Sequence, residues 1–207
     1  DNGALIKCRQ ANTTVNLTNV NASASGSSAG IVNASTNSFL PLTLNVTGGT
    51  YEYNSTYATC GPFTTAINNS VVNFDGVTVK SNRGPIIEIC GSTATFKNCD
   101  FTNTETSSFY ASCIAVSSKS ASTQGAASID GGTYTANYPV FVYNSGGKVN
   151  INGGTFNGNE SVLKADNSTT SFKSEITVTD GTFNGPVSIG SEASLQVEAG
   201  RFDTVLD

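Results

Sequence analysis

The sequence contains no histidine, methionine or tryptophan, and only 12% of its 207 residues are charged. Without histidine, a nucleophile and base for acyl transfer would have to rely on a lysine variant. The net charge is −5 and no basic cluster is present, which argues against nucleic acid and anionic membranes as partners. No apolar run approaches the length of a membrane span, so we expect no membrane insertion.

Serine, threonine, asparagine and glycine are abundant instead. These residues are poor helix formers, and asparagine and glycine favour turns, so we expect few helices. The 37% of apolar residues argues against disorder, and the length suits one sizeable domain. Low charge and many hydroxyl groups favour an extracellular or cell-surface location.

Seven segments align on a terminal aromatic or apolar residue. These terminal residues are Tyr51, Val79, Phe101, Tyr134, Phe156, Phe183 and Phe202. Seven residues earlier stand Leu44, Val72, Ala94, Ala127, Val149, Ile176 and Leu195; five residues earlier stand Val46, Phe74, Phe96, Ile129, Ile151, Val178 and Val197. Mostly polar residues lie between these columns, and this alternation predicts strands with one buried face.

A corner of small residues separates each second apolar column from the terminal residue. Its glycines are Gly48, Gly49, Gly76, Gly131, Gly132, Gly153, Gly154, Gly181 and Gly200, and Asn98-Cys99 takes their place once. Glycine, asparagine and aspartate tolerate the left-handed backbone of a sharp bend. Further apolar segments, such as Pro139-Val-Phe-Val-Tyr143, predict another strand in the same repeat.

Repeats of this size predict a solenoid, because a single repeat cannot bury its apolar side alone. We expect one all-β parallel β-helix of about seven to eight rungs, roughly 35–40 Å long at ~4.8 Å per rung. Residues 1–43 are predicted to form an N-terminal cap and a degenerate first rung, with a loop over residues 22–30. Residues 44–207 are predicted to form the continuous solenoid.

At these repeats the chain resembles right-handed parallel β-helix proteins of the pectate-lyase-like superfamily. More narrowly, Asp130-Gly-Gly-Thr-Tyr134, Asn152-Gly-Gly-Thr-Phe156 and Asp180-Gly-Thr-Phe183 look like the Gly-Gly-Thr-Phe repeats of large bacterial cell-surface and adhesin-like proteins. The resemblance implies a right-handed helix. Enzymes of this superfamily use aspartates with calcium and a basic residue, or several aspartates with histidine. Histidine is missing here and no arginine matches a lyase motif, so we expect no catalytic residues and no enzyme activity.

Three other side-chain patterns are candidate sites. The first pattern is three aspartates that recur near the corner: Asp75, Asp130 and Asp180. They could form a row that binds calcium weakly, but we favour the interpretation that they are ordinary turn residues. We therefore expect no metal or other cofactor. The second pattern is a column of threonines, which either offers a flat face that binds ice or sugars, or consists of β-branched residues that pack well on a sheet. Irregular repeat lengths argue against ice binding. Tyrosines offer sugar-stacking rings or fill the core. The threonines are Thr50, Thr78, Thr133, Thr155 and Thr182, and the tyrosines are Tyr51, Tyr53, Tyr57, Tyr110 and Tyr138.

The five cysteines lack the close pairing of a zinc site, and their odd number leaves one thiol over. We expect Cys8, which lies outside the repeats, to form an interchain bridge. Cys60, Cys90 and Cys113 are further disulfide candidates, although Cys90 and Cys113 fit equally well as small core residues. The fifth is Cys99.

Nine Asn-x-Ser/Thr motifs are possible glycosylation sites if the host modifies them. They begin at Asn12, Asn16, Asn21, Asn33, Asn45, Asn54, Asn68, Asn159 and Asn167.

The sequence predicts a non-enzymatic extracellular structural protein, a subunit of a surface fibre or an adhesin stalk. Open strand edges must be capped or paired. The last repeat reaches Asp207 without a polar cap, so we expect either further chain or a second copy there, giving a homo-oligomer or head-to-tail polymer. The alternatives are a carbohydrate-binding module that recognises surface glycans and, less favoured, a polysaccharide lyase or hydrolase.

Overall fold

The computed structural model describes residues 4–8, 12–26, 30–33, 41–56, 61–67, 69–118, 123–143, 145–169 and 171–203. These residues form short strands, with one 3-10 turn at Ser108–Ala111. The first strands are β1 (Ile6–Lys7), β2 (Thr13–Thr18), β3 (Ala22–Gly26), β4 (Val32–Asn33), β5 (Leu42–Thr47), β6 (Thr50–Ser55), β7 (Phe63–Ile67), β8 (Val71–Asp75), β9 (Thr78–Ser81), β10 (Ile87–Cys90) and β11 (Thr93–Asn103). The remaining strands are β12 (Ser112–Ser117), β13 (Ala126–Ala136), β14 (Tyr138–Val142), β15 (Gly147–Gly158), β16 (Leu163–Ala165), β17 (Ser174–Val178), β18 (Thr182–Asn184), β19 (Val187–Ile189), β20 (Ser194–Val197) and β21 (Arg201–Phe202).

The strands stack in three ladders, which the chain visits in turn. The first ladder is β2-β5-β8-β11-β13-β15-β17-β20, and the third is β1-β4-β7-β10-β12-β14-β16-β19. The second ladder runs from β3 through β6 and β9 to the carboxy-terminal halves of β11, β13 and β15, and then to β18 and β21. Neighbouring strands are parallel throughout. The predicted all-β parallel solenoid is therefore confirmed, with eight strands in the first ladder.

The apolar columns found in the sequence are continuous rows of strand partners. The two first-ladder columns run from Leu44 to Leu195 and from Val46 to Val197. The terminal column runs from Tyr51 to Phe202 in the second ladder. A slip of one residue in any repeat would turn its apolar side chains to solvent, so the alignment predicted the register correctly.

Aromatic rings from the second ladder form the centre of the core. Tyr134, Phe156 and Phe183 are fully buried, and Phe202 continues the row with partial burial. Successive ring centroids are 5.1, 5.0 and 4.6 Å apart, and the rings lie nearly parallel. Each large ring removes a wide apolar area from water, so this row stabilises the stacking of successive rungs.

The corners between the first and second ladders have the backbone that glycine favours. All nine corner glycines have positive φ, and Asn98 takes φ 48° where one repeat has no glycine. At Gly49 a Cβ atom would lie 2.1 Å from the carbonyl oxygen of Val20, so the corners of successive rungs are in close contact.

The first rung is more regular than the sequence indicated. β2 pairs in register with β5, and the expected domain boundary after residue 43 falls inside β5. The predicted loop at residues 22–30 is wrong for its first half, because Ala22–Gly26 is β3 and pairs with β6. Ala22 and Ala24 pack against the core in an alternating Ala-Ser strand whose small side chains gave a weak sequence signal.

Within the residues that the structure describes, no helix has the length and apolar character needed to cross a membrane.

Candidate functional site

The structure separates the tyrosines considered for sugar stacking into two groups. Tyr51 and Tyr53 are 0% and 1% exposed and belong to the core. Tyr57 lies outside the described residues. Tyr110 and Tyr138 are partly exposed and contact other rings outside the core. Of these five residues, Tyr110 and Tyr138 are therefore the two that a ligand can reach in the described structure.

Five aromatic residues form a cluster on the outside of the third ladder, which we call the outer aromatic cluster. They are Phe109, Tyr110, Tyr138, Phe141 and Tyr143. Phe141 is the centre, with ring centroids of Tyr138 and Tyr143 at 5.6 and 5.9 Å. It is buried by these neighbours, while the other four rings are partly exposed. The cluster is a continuous, partly exposed aromatic patch outside the core.

Lys164, on β16, lies against this patch. Its Nζ atom is 4.8 Å from the ring centroid of Tyr138 and 4.5 Å from that of Phe141. These distances are within the range of cation–π attraction. The carboxylate of Asp166 is 3.9 Å from the same Nζ atom, so the patch carries one charge of each sign. Aromatic faces beside paired charges suit an uncharged ligand with both apolar and hydroxyl surfaces.

The segment that carries Phe109 and Tyr110 is fixed by one carboxylate. Glu105 is 7% exposed and accepts hydrogen bonds from the guanidinium of Arg83, the backbone N–H groups of Thr106 and Ser107, and the Ser107 hydroxyl. Burial alone would raise the pKa of Glu105, but these donors outweigh it and lower the pKa below its ordinary value. The turn that follows places the ring centroid of Phe109 4.7 Å from that of Tyr143.

We expect Glu105→Gln to lower the free energy of unfolding by about 1.5–3 kcal/mol at neutral pH, because charged hydrogen bonds are lost. Since the folded-state pKa is lowered, this stabilisation is present above the unfolded pKa of Glu105 and is lost as pH falls through the folded pKa. Urea denaturation from neutral pH to about pH 3 should show the difference from wild type shrinking. Glu160→Gln, at an exposed position, should show little change. A difference for Glu105→Gln that is independent of pH would contradict this assignment.

The calcium row, which was the less favoured interpretation of Asp75, Asp130 and Asp180, is not supported by the register. In the first ladder Lys97 is the strand partner of both Asp75 and Asp130, so a cation separates the two carboxylates. Asp180 instead accepts a hydrogen bond from the backbone N–H of Gly181 in its own turn. In the described part of the chain, no group of three or more His, Cys, Asp or Glu side chains is placed to hold a metal ion.

The threonine column lies in register in the second ladder, with one interruption. Thr50 pairs with Thr78, and Asp100 takes the next position. Thr133, Thr155 and Thr182 then follow as successive partners. The column lies beside the corner, where the repeats have constant spacing, so the variable repeat lengths do not disturb it.

Several motif asparagines form hydrogen bonds between rungs. Asn45 donates to the side-chain oxygen of Asn16 at 2.8 Å, and Asn73 donates to Asn45 at 2.9 Å. Asn21 and Asn54 accept hydrogen bonds, Asn159 donates to Asn137, and Asn167 donates to Ser191. Asn12 is exposed with φ 56°. The Asn33 side chain and Asn68 lie outside the described residues. Glycosylation stays a prediction, and the amide ladder gives these residues a structural role.

The cysteines lie mainly in the interior. Cys8 is 6% exposed and belongs to the core cluster, so the premise that it lies outside the core is wrong. Burial raises the pKa of Cys8, raises that of Cys99 to about 11, and raises that of Cys113 further. Cys90 is partly exposed at the end of β10, and Cys60 lies outside the described residues. Buried thiols with raised pKa values are poor nucleophiles, so Cys8, Cys99 and Cys113 are not reactive sites.

Sequence reasoning missed Phe109, Phe141, Tyr143 and Lys164 as members of a site. Residues 138–143 are apolar throughout, so alternation alone could not show which side chains face outward. The structure resolves this: Val140 and Val142 belong to the core cluster, whereas Phe141 does not.

Comparison with known proteins adds no relative: the chain matches no protein-family model, no curated protein and no solved structure.

Proposed function

We propose that the chain is a non-enzymatic structural protein of the cell surface or extracellular space, acting as a rod in a fibre or adhesin stalk. The observation that carries this proposal is the continuous stacking of parallel strands in the ladders from the first rung to the last described one. At ~4.8 Å per rung, eight rungs extend about 38 Å and share one core. Stacked parallel strands around a continuous core are suited to a stiff spacer, because each rung is held by its neighbours.

We further propose that copies assemble head to tail. Val197 faces the core side as the partner of buried Val178, yet it is 42% exposed. Leu195 and Phe202 in the same rung are only partly buried. A further parallel rung would cover these side chains and pair the strand edges, and in this proposal a second copy supplies it.

Sedimentation velocity over rising protein concentration tests assembly. We expect larger species for wild type, and a shift toward monomer for Val197→Lys, because burying an unpaired ammonium in the contact is costly. Val71→Lys is a matched control, since Val71 is also 42% exposed but lies on the outer side of the first ladder. A wild-type chain that stays monomeric at every concentration, or equal effects of the two variants, would contradict head-to-tail assembly.

The expected absence of enzyme activity stays a prediction. It is tested by incubating the protein with uronic-acid polymers and measuring unsaturated and reducing-end products. Formation of either product by wild type would favour the lyase or hydrolase alternative.

The outer aromatic cluster favours a second candidate function, carbohydrate binding. Its partly exposed rings offer apolar faces, and Lys164 and Asp166 offer hydrogen bonds at the edge. A glycan array of wild type and Tyr138→Ser tests it. A hit that Tyr138→Ser loses supports binding here, whereas an array without hits contradicts it.

A further inference from the structure

A polar groove lies on the outer side of the second ladder, and none of the outer aromatic cluster lines it. This groove, of about 330 Å³, crosses β6, β9 and β11, and Glu52, Lys80 and Thr102 contribute to its lining. A neighbouring depression of about 310 Å³ extends it toward β3, and Glu52 lines both. The volume of each is near the lower end of the range of small-molecule sites, about 300–1,000 Å³.

The groups in this groove are available for a ligand. Glu52, Lys80 and Thr102 are successive strand partners in one outward column. The side chains of these three residues make no hydrogen bond or ion pair with any other described residue. Asn54, which also lines the groove, accepts a hydrogen bond from Asn82 through its oxygen, and its amide N–H groups donate to no described residue. The groove thus presents a carboxylate, an ammonium, a hydroxyl and an amide.

The charges of Glu52 and Lys80 favour a neutral ligand over an acidic one. One carboxylate and one ammonium on adjacent rungs leave the groove without net charge, so a polyanion such as a uronate polymer gains no overall attraction. A neutral polyol satisfies both groups at once, because its hydroxyls donate to Glu52 and accept from Lys80.

The column also continues along the solenoid axis. Beyond Thr102 its positions are Thr135, Asn157 and Asn184, one per rung. These side chains also hydrogen-bond to one another, from Asn157 to Thr135 and from Asn184 to Asn157. A ligand that extends past the groove meets this row of hydroxyl and amide groups at the regular rung spacing of ~4.8 Å, and can use the donor and acceptor positions that the row leaves over. This arrangement suits a polymer of repeated hydroxyl-bearing units.

We propose that the second-ladder groove binds a neutral oligosaccharide lying along the solenoid axis, with Glu52 and Lys80 as its main hydrogen-bonding groups. This site goes beyond the rod function and does not depend on it, since binding to a monomer would leave assembly unaffected. It is also separate from the second candidate function, because it uses none of the outer aromatic residues.

Isothermal titration with neutral hexose oligosaccharides of increasing length tests the proposal, with uronate oligosaccharides of matching length as the acidic comparison. We expect affinity to rise with length for the neutral series. Glu52→Gln and Lys80→Gln should each weaken binding about tenfold or more, since each removes a charged hydrogen bond. Lys148→Gln, at an exposed position of β15 in the first ladder, and Glu198→Gln, at the exposed residue just after β20, should leave binding unchanged.

Three results would overturn this site. They are no binding of any neutral oligosaccharide, stronger binding of the uronate series, and binding that is lost in Tyr138→Ser but retained in Glu52→Gln and Lys80→Gln. The last result places the ligand on the outer aromatic cluster. Circular dichroism of each variant checks that the fold is retained, and sedimentation of the same samples tests the rod proposal separately.

Discussion

Gly132→Ala is expected to lower the free energy of unfolding by about 2–5 kcal/mol. Gly132 has φ +93°, and a left-handed backbone costs an alanine roughly 1–2 kcal/mol. In addition, the new Cβ atom would lie 2.1 Å from the carbonyl oxygen of Cys99 and 2.5 Å from its nitrogen. Because both atoms belong to the backbone of the previous rung, relief requires moving a rung, which adds about 1–3 kcal/mol.

Gly76→Ala is the matched control for this prediction. Gly76 occupies a corner with φ +62°, but no atom lies within 4 Å of the position that its Cβ would take. Its variant should therefore show the backbone cost alone, about 1–2 kcal/mol. Urea denaturation followed by circular dichroism measures both. If the two variants lose the same stability, close contact between successive corners is not what requires glycine at Gly132.

Phe156→Ala is expected to cost about 3–5 kcal/mol of unfolding free energy. Phe156 is 0% exposed, and its ring stacks between Tyr134 and Phe183 at 5.1 and 5.0 Å. Truncation removes the ring and leaves a cavity between rungs, which the close-packed neighbours cannot fill by small movements. The aromatic row would then be divided in its middle.

Phe202→Ala provides the comparison, because among the described residues Phe202 stacks on Phe183 alone, and it is only partly buried. We expect Phe202→Ala to lower the free energy of unfolding by less than half as much as Phe156→Ala does in the same denaturation experiment. A Phe202→Ala variant as unstable as Phe156→Ala would show that stacking on both sides contributes little. That result would argue against the ring row as a main source of stability between rungs.

The register of the fold was predictable from the sequence because one feature repeats at constant spacing. Between Val46 and Tyr51, and in each later repeat, two apolar residues are five positions apart with the corner between them. This spacing determines both strand directions and the inward face, and variable loops elsewhere do not affect it. The same alignment places Lys97 between Asp75 and Asp130, so the calcium row could have been rejected without a structure.

The candidate sites were less predictable, for a different physical reason. The outer aromatic cluster combines Phe109 from a turn with Phe141 from β14, and their contact depends on the path of the segment fixed by Glu105. The spacing of residues in the sequence does not predict the path of that segment. Glu52 and Lys80 were also missed, since single charges on a strand are ordinary surface residues until register makes them neighbours. Cys8 was misjudged because the residues ahead of the first aligned repeat were expected to form a cap outside the repeat core. In the structure β1 is itself a third-ladder strand, and Cys8, which follows it, belongs to the core cluster.

We propose that this solenoid is a structural rod whose copies continue the same stack, and electron cryo-microscopy of the concentrated protein tests this proposal. We expect filaments with a layer spacing of ~4.8 Å along the filament axis, because each further copy continues the parallel ladders across the junction. Dispersed single particles at every concentration, or filaments whose strands run parallel to the axis, would contradict it.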